Sequence, residues 1–333
     1  MKKLINNPRS VVAESVEGLA LAHGDIVQAT PESLVVHRAT AKDEGKVGLV
    51  SGGGSGHEPL HAGFVGHGML DAAVPGPVFT SPTPDPIVEA TKLANHGAGV
   101  VYIVKNYTGD VLNFDTAAEL AEFEDIEVRQ VIVDDDVAVE DSTFTAGRRG
   151  VAGTMLVEKL AGAAAERGDS LDEVEAVAKN AVAQVRSMGV ALSACHVPHS
   201  EKPSFELGED QVEIGIGIHG EPGRDTIALS SADDITDRLF DPIVKDLGLR
   251  EGERVIALIN GMGGTPLSEL YIVYRRVAHR LGEMGVSVAR SMVGNFVTSL
   301  EMQGASVTLM RVDDGMLELF DAPVATVAYR KGM

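Results

Sequence analysis

The chain is organised around the stretch VGLVSGGGSGHEPLH, residues 47–61, in which a short apolar run passes into glycines and then into His57 and Glu58. Glycine has no Cβ atom, so such a turn can adopt positive φ and bring backbone N–H groups close to a ligand. Pro59 stands where a helix can begin. The stretch therefore predicts a strand that ends in a binding loop.

Two later segments share this character, IVKNYTGD at residues 103–110 and EIGIGIHGEPG at residues 213–223. Each ends an apolar, strand-like run in glycine together with ionisable side chains. These are Lys105 and Asp110 in the first segment and His219 in the second. We expect one site built from three strand ends.

Strand-like and helix-like segments alternate along the chain, which is typical of an α/β fold. Residues 99–104 (GVVYIV) are continuously apolar, which predicts a strand buried on both faces. Ser170 and Glu173 form a capping box and predict a helix over residues 171–185.

We expect two α/β domains, each a sheet with flanking helices. Residues 1–185 are predicted to form an N-terminal domain with the glycine-rich substrate loop, and residues 186–333 a C-terminal α/β (α+β) domain carrying His219. In the second domain, strands are predicted at residues 189–195, 212–218, 255–259, 286–292, 306–311 and 326–329. Helices are predicted at residues 232–247, interrupted at Pro242, and at residues 266–281.

The amino-acid composition disfavours several classes of function. The 28 basic and 49 acidic residues give a formal charge of −21, which repels nucleic acid and anionic lipid. Cys195 is the single cysteine, so an intrachain disulfide is excluded. No apolar run approaches the roughly 20 residues of a membrane span, and the N-terminus lacks the apolar segment of a signal peptide. We expect a cytoplasmic protein that binds neither nucleic acid nor membrane.

Residues His57 to His61 match the zinc-hydrolase pattern H-E-x-x-H. That chemistry needs both histidines on one face of a continuous helix. Here glycines precede His57, and Pro59 lies between the two histidines, so zinc hydrolysis is disfavoured. Asp134 to Asp136 are interpreted as a solvated turn rather than a metal site.

Two nucleotide motifs give little support to a nucleotide site. Residues 215–220 match G-x-G-x-x-G, but they lie within a strand-like run and are followed by Glu221-Pro222-Gly223 instead of a helix that would receive a pyrophosphate. The pattern of a P-loop does not occur, because His57 stands where its lysine would be needed.

Four ionisable residues remain as candidates, His57, Lys105, Asp110 and His219. Taken singly, each has an ordinary structural interpretation, such as a helix cap for Asp110. Their common position beside glycines at strand ends favours a functional site for the group.

Six segments, taken together, carry a family resemblance: GGGSGHEP (52–59), VKNYTGD (104–110), GRRGVAGT (147–154), EIGIGIHGEPG (213–223), NGMGGTP (260–266) and TSLEMQG (298–304). In this order and spacing they resemble the substrate-binding K subunit (DhaK family) of dihydroxyacetone kinases. The resemblance covers nearly the whole chain.

The resemblance implies that His219 holds the ketone carbon of dihydroxyacetone as a covalent hemiaminal. Only a carbonyl compound can form that adduct, so glycerol is rejected by chemistry rather than by size. It further implies that Asp110 accepts the proton of the substrate hydroxyl and that His57 hydrogen-bonds the substrate. Lys105, Ser81 and the glycine loop at Gly53 and Gly54 are expected to position its hydroxyls.

The resemblance also implies partners. ATP-dependent members carry a C-terminal helical nucleotide domain, and this sequence ends at Met333 without one. We therefore expect no cofactor in this chain. ADP and Mg²⁺ would lie on a separate L subunit, rephosphorylated through an M subunit of the phosphotransferase system, and the chain would form a homodimer.

Two alternatives stay open. Relatives of this subunit act as dihydroxyacetone sensors and transcriptional co-activators, which need only His219. The presence of Asp110 and His57 favours a kinase subunit that phosphorylates dihydroxyacetone. A longer ketose such as erythrulose is the other alternative, because pocket size cannot be read from the sequence.

Overall fold

The computed structural model describes residues 2–40, 44–139, 145–200 and 202–332. Its strands are β1 Val27–Ala29, β2 Val36–Arg38, β3 Gly48–Ser55, β4 Gly66–His67, β5 Ala72–Val78, β6 Val100–Lys105, β7 Val128–Val133, β8 Val185–Ala191, β9 Gln211–Ile214, β10 Asp225–Ala228, β11 Arg254–Gly261, β12 Ser287–Gly294, β13 Gly304–Arg311, β14 Val324–Thr326 and β15 Arg330–Lys331. Its α-helices are α1 Val11–Ala22, α2 Pro84–Ala94, α3 Thr108–Glu122, α4 Gly153–Arg167, α5 Leu171–Gln184, α6 Ala232–Leu247, α7 Leu267–Glu283 and α8 Asp314–Asp321, and a 3₁₀ turn spans Ala62–Phe64.

The first sheet has six strands in the order β1-β2-β5-β3-β6-β7. β3 pairs in parallel with β5 and β6, and β6 pairs in parallel with β7, so several carboxyl ends share one edge. All eight residues of β3 are buried. The glycines predicted as a loop therefore continue the strand. A Cβ at Gly52 would lie 2.8 Å from the carbonyl oxygen of Val74 on β5, so glycine permits this close pairing.

The second sheet also has six strands, in the order β10-β9-β8-β13-β11-β12. β11 and β12 are parallel, and the other pairs are antiparallel. The predicted α/β fold, with sheets flanked by helices, is confirmed. The strand predicted over residues 212–218 ends at Ile214, because Gly215 has a φ of +79°. Pro242 lies inside α6 without ending it.

Helix α4 was not predicted, and its burial explains the omission. Thirteen consecutive residues of α4, from Gly153 to Ala165, are buried, so the helix lacks the polar face that gives an amphipathic pattern. It packs against α5 and α8 and contacts strands of both large sheets. By contrast, the predicted capping box of Ser170 and Glu173 is present at the start of α5.

The two sheets share one hydrophobic core. A single cluster of buried residues contains Leu49 and Val101 from the first sheet together with Ile256 and Met310 from the second. A small third sheet, in the order β15-β14-β4, also joins the C-terminal segment to the first half of the chain. The change of sheet falls between β7 and β8, but the domain division at residue 185 stays a prediction.

No helix in the parts of the chain that the structure describes is long and apolar enough to span a membrane.

The packing of α4 gives a stability prediction. A Cβ at Gly162 would lie 2.4 Å from the Cα of Met69 and 2.6 Å from the carbonyl oxygen of Gly68. We expect Gly162→Ala to lower the free energy of unfolding in urea titrations by about 1–3 kcal/mol through overpacking.

Gly18 is the matched control, since it lies within α1 and a Cβ there would meet nothing within 4 Å. Gly18→Ala is expected to raise stability by roughly 0.5–1 kcal/mol. Equal effects of the two substitutions would contradict this account of α4.

Candidate functional site

A cavity of about 670 Å³ opens where the carboxyl ends of β3 and β6 meet the start of α3. Its lining comes from four segments of the chain: Gly54, Phe79 to Ser81, Tyr107 to Asp110 with Asn113, and His219. Ligands of parallel α/β sheets commonly bind at this edge, outside the carboxyl ends of the strands. The cavity is therefore the candidate functional site.

Asp110 supplies a buried carboxylate to this cavity. It lies in the first turn of α3 and is only 4% exposed. The partial positive charge of a helix N-terminus stabilises a carboxylate there. Its Oδ2 atom is 3.5 Å from Nζ of Lys105, which is fully buried. This arrangement places a carboxylate beside a buried ammonium group at the cavity wall.

His219 is oriented by Glu221. Nδ1 of His219 lies 3.0 Å from Oε1 of Glu221, and the backbone N–H of His219 donates to Oε2 of the same carboxylate at 3.0 Å. Burial alone would raise the pKa of Glu221, but His219 and Arg149 lower it to about 2. An ionised carboxylate only accepts hydrogen bonds, so Nδ1 of His219 carries the proton that Glu221 accepts. Nε2 of His219 is therefore the ring nitrogen that Glu221 does not hold.

Arg149 fixes the turn that carries this pair. Its guanidinium donates to the carbonyl oxygen of Gly215 at 2.7 Å and to Oδ2 of Asp136 at 2.7 Å, and it is fully buried. A Cβ at Gly217 would lie 1.9 Å from Oε2 of Glu221, so only glycine at this position lets the carboxylate of Glu221 reach His219. Asp136 is therefore a buried partner of Arg149 rather than part of a solvated turn, which corrects the interpretation of residues 134–136.

His57 presents an unsatisfied acceptor beside His219. Its Nδ1–H donates to the carbonyl oxygen of Thr298 at 2.7 Å, which leaves a lone pair on Nε2. Nε2 is buried and has no hydrogen-bond partner in the described structure. Burial lowers the pKa of His57 well below 6.5, with help from His219 and Lys105. A ligand hydroxyl placed here would satisfy a buried atom that otherwise costs free energy.

The second half of the chain holds His57 in place. The backbone N–H of Thr298 donates to the carbonyl oxygen of His57, and that of Leu300 donates to the carbonyl oxygen of Gly56. The side chain of Asn260 in turn binds the backbone of Phe296 and Val297. The segment TSLEMQG therefore contacts the glycine-rich stretch directly, and NGMGGTP supports the two residues just before TSLEMQG.

Phe79 forms an aromatic wall in a strained backbone conformation. It has a φ of 55°, and its ring stacks on His57 and meets His219 edge-on. A Cβ at Gly54 would lie 2.5 Å from the backbone nitrogen of Thr80 and 2.7 Å from the carbonyl carbon of Phe79. Strained residues of this kind cluster at ligand sites.

The structure brings all the predicted site residues into one region, in two layers. Gly54, Ser81, Asp110 and His219 line the cavity. The other three are buried: Lys105 and Gly53 lie behind the wall, and His57 packs against the lining residues Phe79 and His219. The roles assigned to these seven residues stay predictions.

The misleading motifs have structural explanations. His57 to His61 do not lie on one helix, since they form the turn between β3 and the 3₁₀ turn. Residues 215–220 form a turn, and β10 follows them instead of a helix. Within the described ranges, no group of three or more His, Cys, Asp or Glu residues is arranged to hold a metal ion.

Sequence reasoning missed several residues of the site. Tyr107 and Glu221 lie inside the motifs that contain Asp110 and His219, so the sequence could have identified both as candidate site residues. Phe79 and Asn113 had no local signal, because their positions depend on contacts between distant segments.

Comparison with known proteins gives a consistent result. The Dak1 domain model matches residues 17–328. The chain is 52% identical over 330 residues to the dihydroxyacetone-binding subunit of PTS-dependent dihydroxyacetone kinase 1 from Listeria innocua, with 99% of this chain and 100% of the relative covered. It is 48% identical to the dihydroxyacetone-binding subunit of the PEP-dependent dihydroxyacetone kinase from Escherichia coli K12, with all of both chains covered.

Solved structures agree with these relatives. A dihydroxyacetone kinase operon co-activator superposes with a TM-score of 0.91 at 38% identity, covering 96% of this chain and 99% of that one. The dihydroxyacetone kinase of C. freundii superposes with a TM-score of 0.90 at 34% identity, covering 99% of this chain and 60% of that one.

Glu158, which is fully buried behind the site, gives a pH prediction. Burial raises the pKa of Glu158 from 4.5 to about 8, although Lys105 and Ser51 act in the opposite direction. Between these values the folded state keeps a proton that the unfolded chain has released. The free energy of unfolding contributed by Glu158 is therefore greatest below about pH 4.5 and falls as the pH rises toward 8.

Glu158→Gln removes this titration. Urea unfolding measures the free energy of unfolding of wild type minus that of Glu158→Gln. We expect this difference to fall by on the order of 3–5 kcal/mol between about pH 5 and pH 8. A difference that stays constant across this range would show that the carboxyl group is not held protonated.

Proposed function

This chain belongs to the Dak1 domain family, and from that premise we propose that it is the dihydroxyacetone-binding subunit of a phosphotransferase-system-linked dihydroxyacetone kinase. The observation that carries the proposal is the 52% identity, over the full length of both chains, to a subunit of that name. The pairing of a nucleophilic imidazole and a buried carboxylate at one cavity supports it.

Substrate capture begins at His219. Nε2 attacks the ketone carbon of dihydroxyacetone, a C–N bond forms, and the electron pair of the C=O π bond passes to oxygen, which takes up a proton from solvent. The product is a hemiaminal with positive charge on the imidazole. Glu221 lies 3.0 Å from Nδ1 and balances that charge without a further proton transfer. Glycerol has no carbonyl carbon and forms no such bond.

Asp110 acts on the captured substrate. A terminal hydroxyl must lose its proton as its oxygen attacks the phosphoryl group, and Asp110 is the carboxylate that lines the cavity. Covalent attachment at His219 fixes the substrate, so the hydroxyl is held in one place relative to this base. Positioning contributes most of the rate in such transfers.

The remaining site residues bind and orient. The unsatisfied Nε2 of His57 accepts a hydrogen bond from a group on the substrate. Ser81, whose hydroxyl also accepts from Asn113 at 3.3 Å, contacts a substrate hydroxyl, as does the backbone of Gly54. Lys105 and Gly53 lie behind the wall, so Lys105 acts on the substrate through Asp110.

The phosphoryl donor belongs to a partner. We assign ADP and Mg²⁺ to a separate L-type subunit, which is recharged through the phosphotransferase system, in keeping with the names of the relatives. The wide mouth of the cavity at Thr80 and Thr108, both exposed, leaves the substrate accessible to that partner. A homodimer in the cytoplasm completes the proposal.

A sensor is the second candidate, because the operon co-activator shares the fold with a TM-score of 0.91. A sensor needs the adduct but no proton acceptor. The buried Asp110 at the cavity wall favours the kinase.

Asp110→Asn separates capture from chemistry and tests the proposal. With an ADP-loaded L subunit and its phosphotransferase-system donor, wild type should convert dihydroxyacetone to its phosphate. The Asn variant should lose at least about 100-fold in kcat, because a general base contributes that much. Binding of dihydroxyacetone to the variant, measured by calorimetry, should be unchanged.

Asp115→Asn is the control, since Asp115 is exposed on the same helix and bonds only Gln130 among the contacts described. It should keep wild-type turnover. An active Asp110→Asn variant would reduce Asp110 to a helix-stabilising residue, and a wild-type complex that binds dihydroxyacetone without turnover would support the sensor. If the complex phosphorylates erythrulose in preference to dihydroxyacetone, erythrulose would replace dihydroxyacetone as the assigned substrate.

A further inference from the structure

A continuous chain of buried side chains, joined by hydrogen bonds and one ion pair, runs from α4 to the wall of the cavity. Oε1 of Glu158 lies 2.6 Å from Nδ1 of His61, and Nε2 of His61 lies 2.9 Å from Nζ of Lys105. Nζ of Lys105 is 3.5 Å from Oδ2 of Asp110. All four residues are at most 6% exposed, and of the four only Asp110 lines the substrate cavity.

The hydrogen positions along this chain are fixed by chemistry. The ammonium group of Lys105 only donates, so Nε2 of His61 must accept and the ring proton is on Nδ1. Nδ1–H then donates to Glu158 and to the hydroxyl of Ser51, 2.9 Å away. Ser51 gives its own proton to the carbonyl oxygen of Ile103, so its oxygen is left as an acceptor.

The charges along this chain favour the same arrangement. Burial lowers the pKa of His61 well below 6.5, and the charge of Lys105 and the ring of His57 act in the same direction. Burial also raises the pKa of Glu158, so both residues are neutral at neutral pH. Asp110 is then the one carboxylate within ion-pair distance of Lys105 in the described structure.

Lys105 has little freedom to leave this position. Its ammonium group has three N–H bonds, and the structure provides acceptors at Nε2 of His61, at the carbonyl oxygen of Gly52 at 3.3 Å and at Asp110. A Cβ on Gly53 would lie 2.3 Å from Nζ, so the backbone packs directly against the charge. Two of the three N–H bonds are held by groups away from the cavity, and the third is directed toward Asp110.

We propose that His61, held by Glu158, is a positioning residue that aims Lys105 at Asp110 and thereby orients the carboxylate that takes the substrate proton. The proposal rests on the proposed function, because it assigns Asp110 the role of base. His61 acts as a neutral acceptor and transfers no proton itself.

Two substitutions at His61 separate its two hydrogen bonds. The amide of Gln reaches the place of Nε2 and can keep an acceptor toward Lys105, whereas the shorter amide of Asn reaches only the place of Nδ1. We expect His61→Asn to lower kcat about 10- to 100-fold with an ADP-loaded L subunit, and His61→Gln to stay within about threefold of wild type. KM for dihydroxyacetone should change by less than about threefold in both, because His219 is untouched.

Lys159→Met is the matched control, because it removes a buried charged side chain from α4 without touching His61, Lys105 or Asp110. Lys159 follows Glu158, is fully buried and donates to the carbonyl oxygen of Leu319 at 2.7 Å, far from Asp110 in the hydrogen-bond network. The Lys159→Met variant should have a lower melting temperature than wild type and an unchanged kcat. Equal kcat values for His61→Asn and wild type, or equal losses in the Asn and Gln variants, would overturn the proposal.

Nitrogen chemical shifts of the histidine rings give a readout that needs no turnover. The resonances of His61, assigned by their loss in His61→Gln, should report a neutral ring protonated on Nδ1. Glu158→Leu should keep this tautomer, because Lys105 still donates to Nε2 and Ser51 still accepts from Nδ1–H. An imidazolium, or a wild-type ring protonated on Nε2, would overturn the proposal. If the chemical shifts of His61 are as expected but the wild-type complex does not phosphorylate dihydroxyacetone, the result would count against the kinase function and not against this proposal.

Discussion

The ion pair between Lys105 and Asp110 is the interaction on which the architecture of the site depends. Both residues are buried, so removing either would leave an uncompensated charge in the protein interior, which is strongly destabilising. The pair fits because position 53 has no side chain: a Cβ there would lie 2.3 Å from Nζ of Lys105 and 3.2 Å from Oδ2 of Asp110. The glycines of β3 are therefore needed for packing as much as for ligand approach.

His219, the proposed nucleophile, follows β9 of the second sheet, so the two halves of the chain must be held in fixed relative positions. Arg149 does this from the segment before α4, where it joins Asp136 to the carbonyl oxygen of Gly215. Tyr107 adds a ring contact to His219 with centroids 4.6 Å apart. The proposed base Asp110 and the proposed nucleophile His219 are thus held by two separate buried ion pairs, Lys105 with Asp110 and Arg149 with Asp136.

The sequence predicted the α/β class and the convergence of three segments, because glycine beside an ionisable residue at the end of an apolar run is a local signal. It did not predict α4, whose uniform burial erases the amphipathic pattern. It also placed Lys105 among the substrate contacts; the structure buries Lys105 beside Asp110, and its role stays a prediction. The roles of His61, Glu158 and Phe79 depend on contacts between segments far apart in the chain, such as the 97 positions between His61 and Glu158. No local pattern encodes such contacts.

We propose above all that a carbonyl substrate is held by a covalent bond to His219. The most direct measurement is a crystal structure of the chain soaked with dihydroxyacetone, beside one soaked with glycerol. Because Glu221 occupies Nδ1, continuous electron density should join Nε2 of His219 to the ketone carbon, and glycerol should show no such bond. Dihydroxyacetone bound without a bond to His219, or bonded to another side chain, would contradict the account.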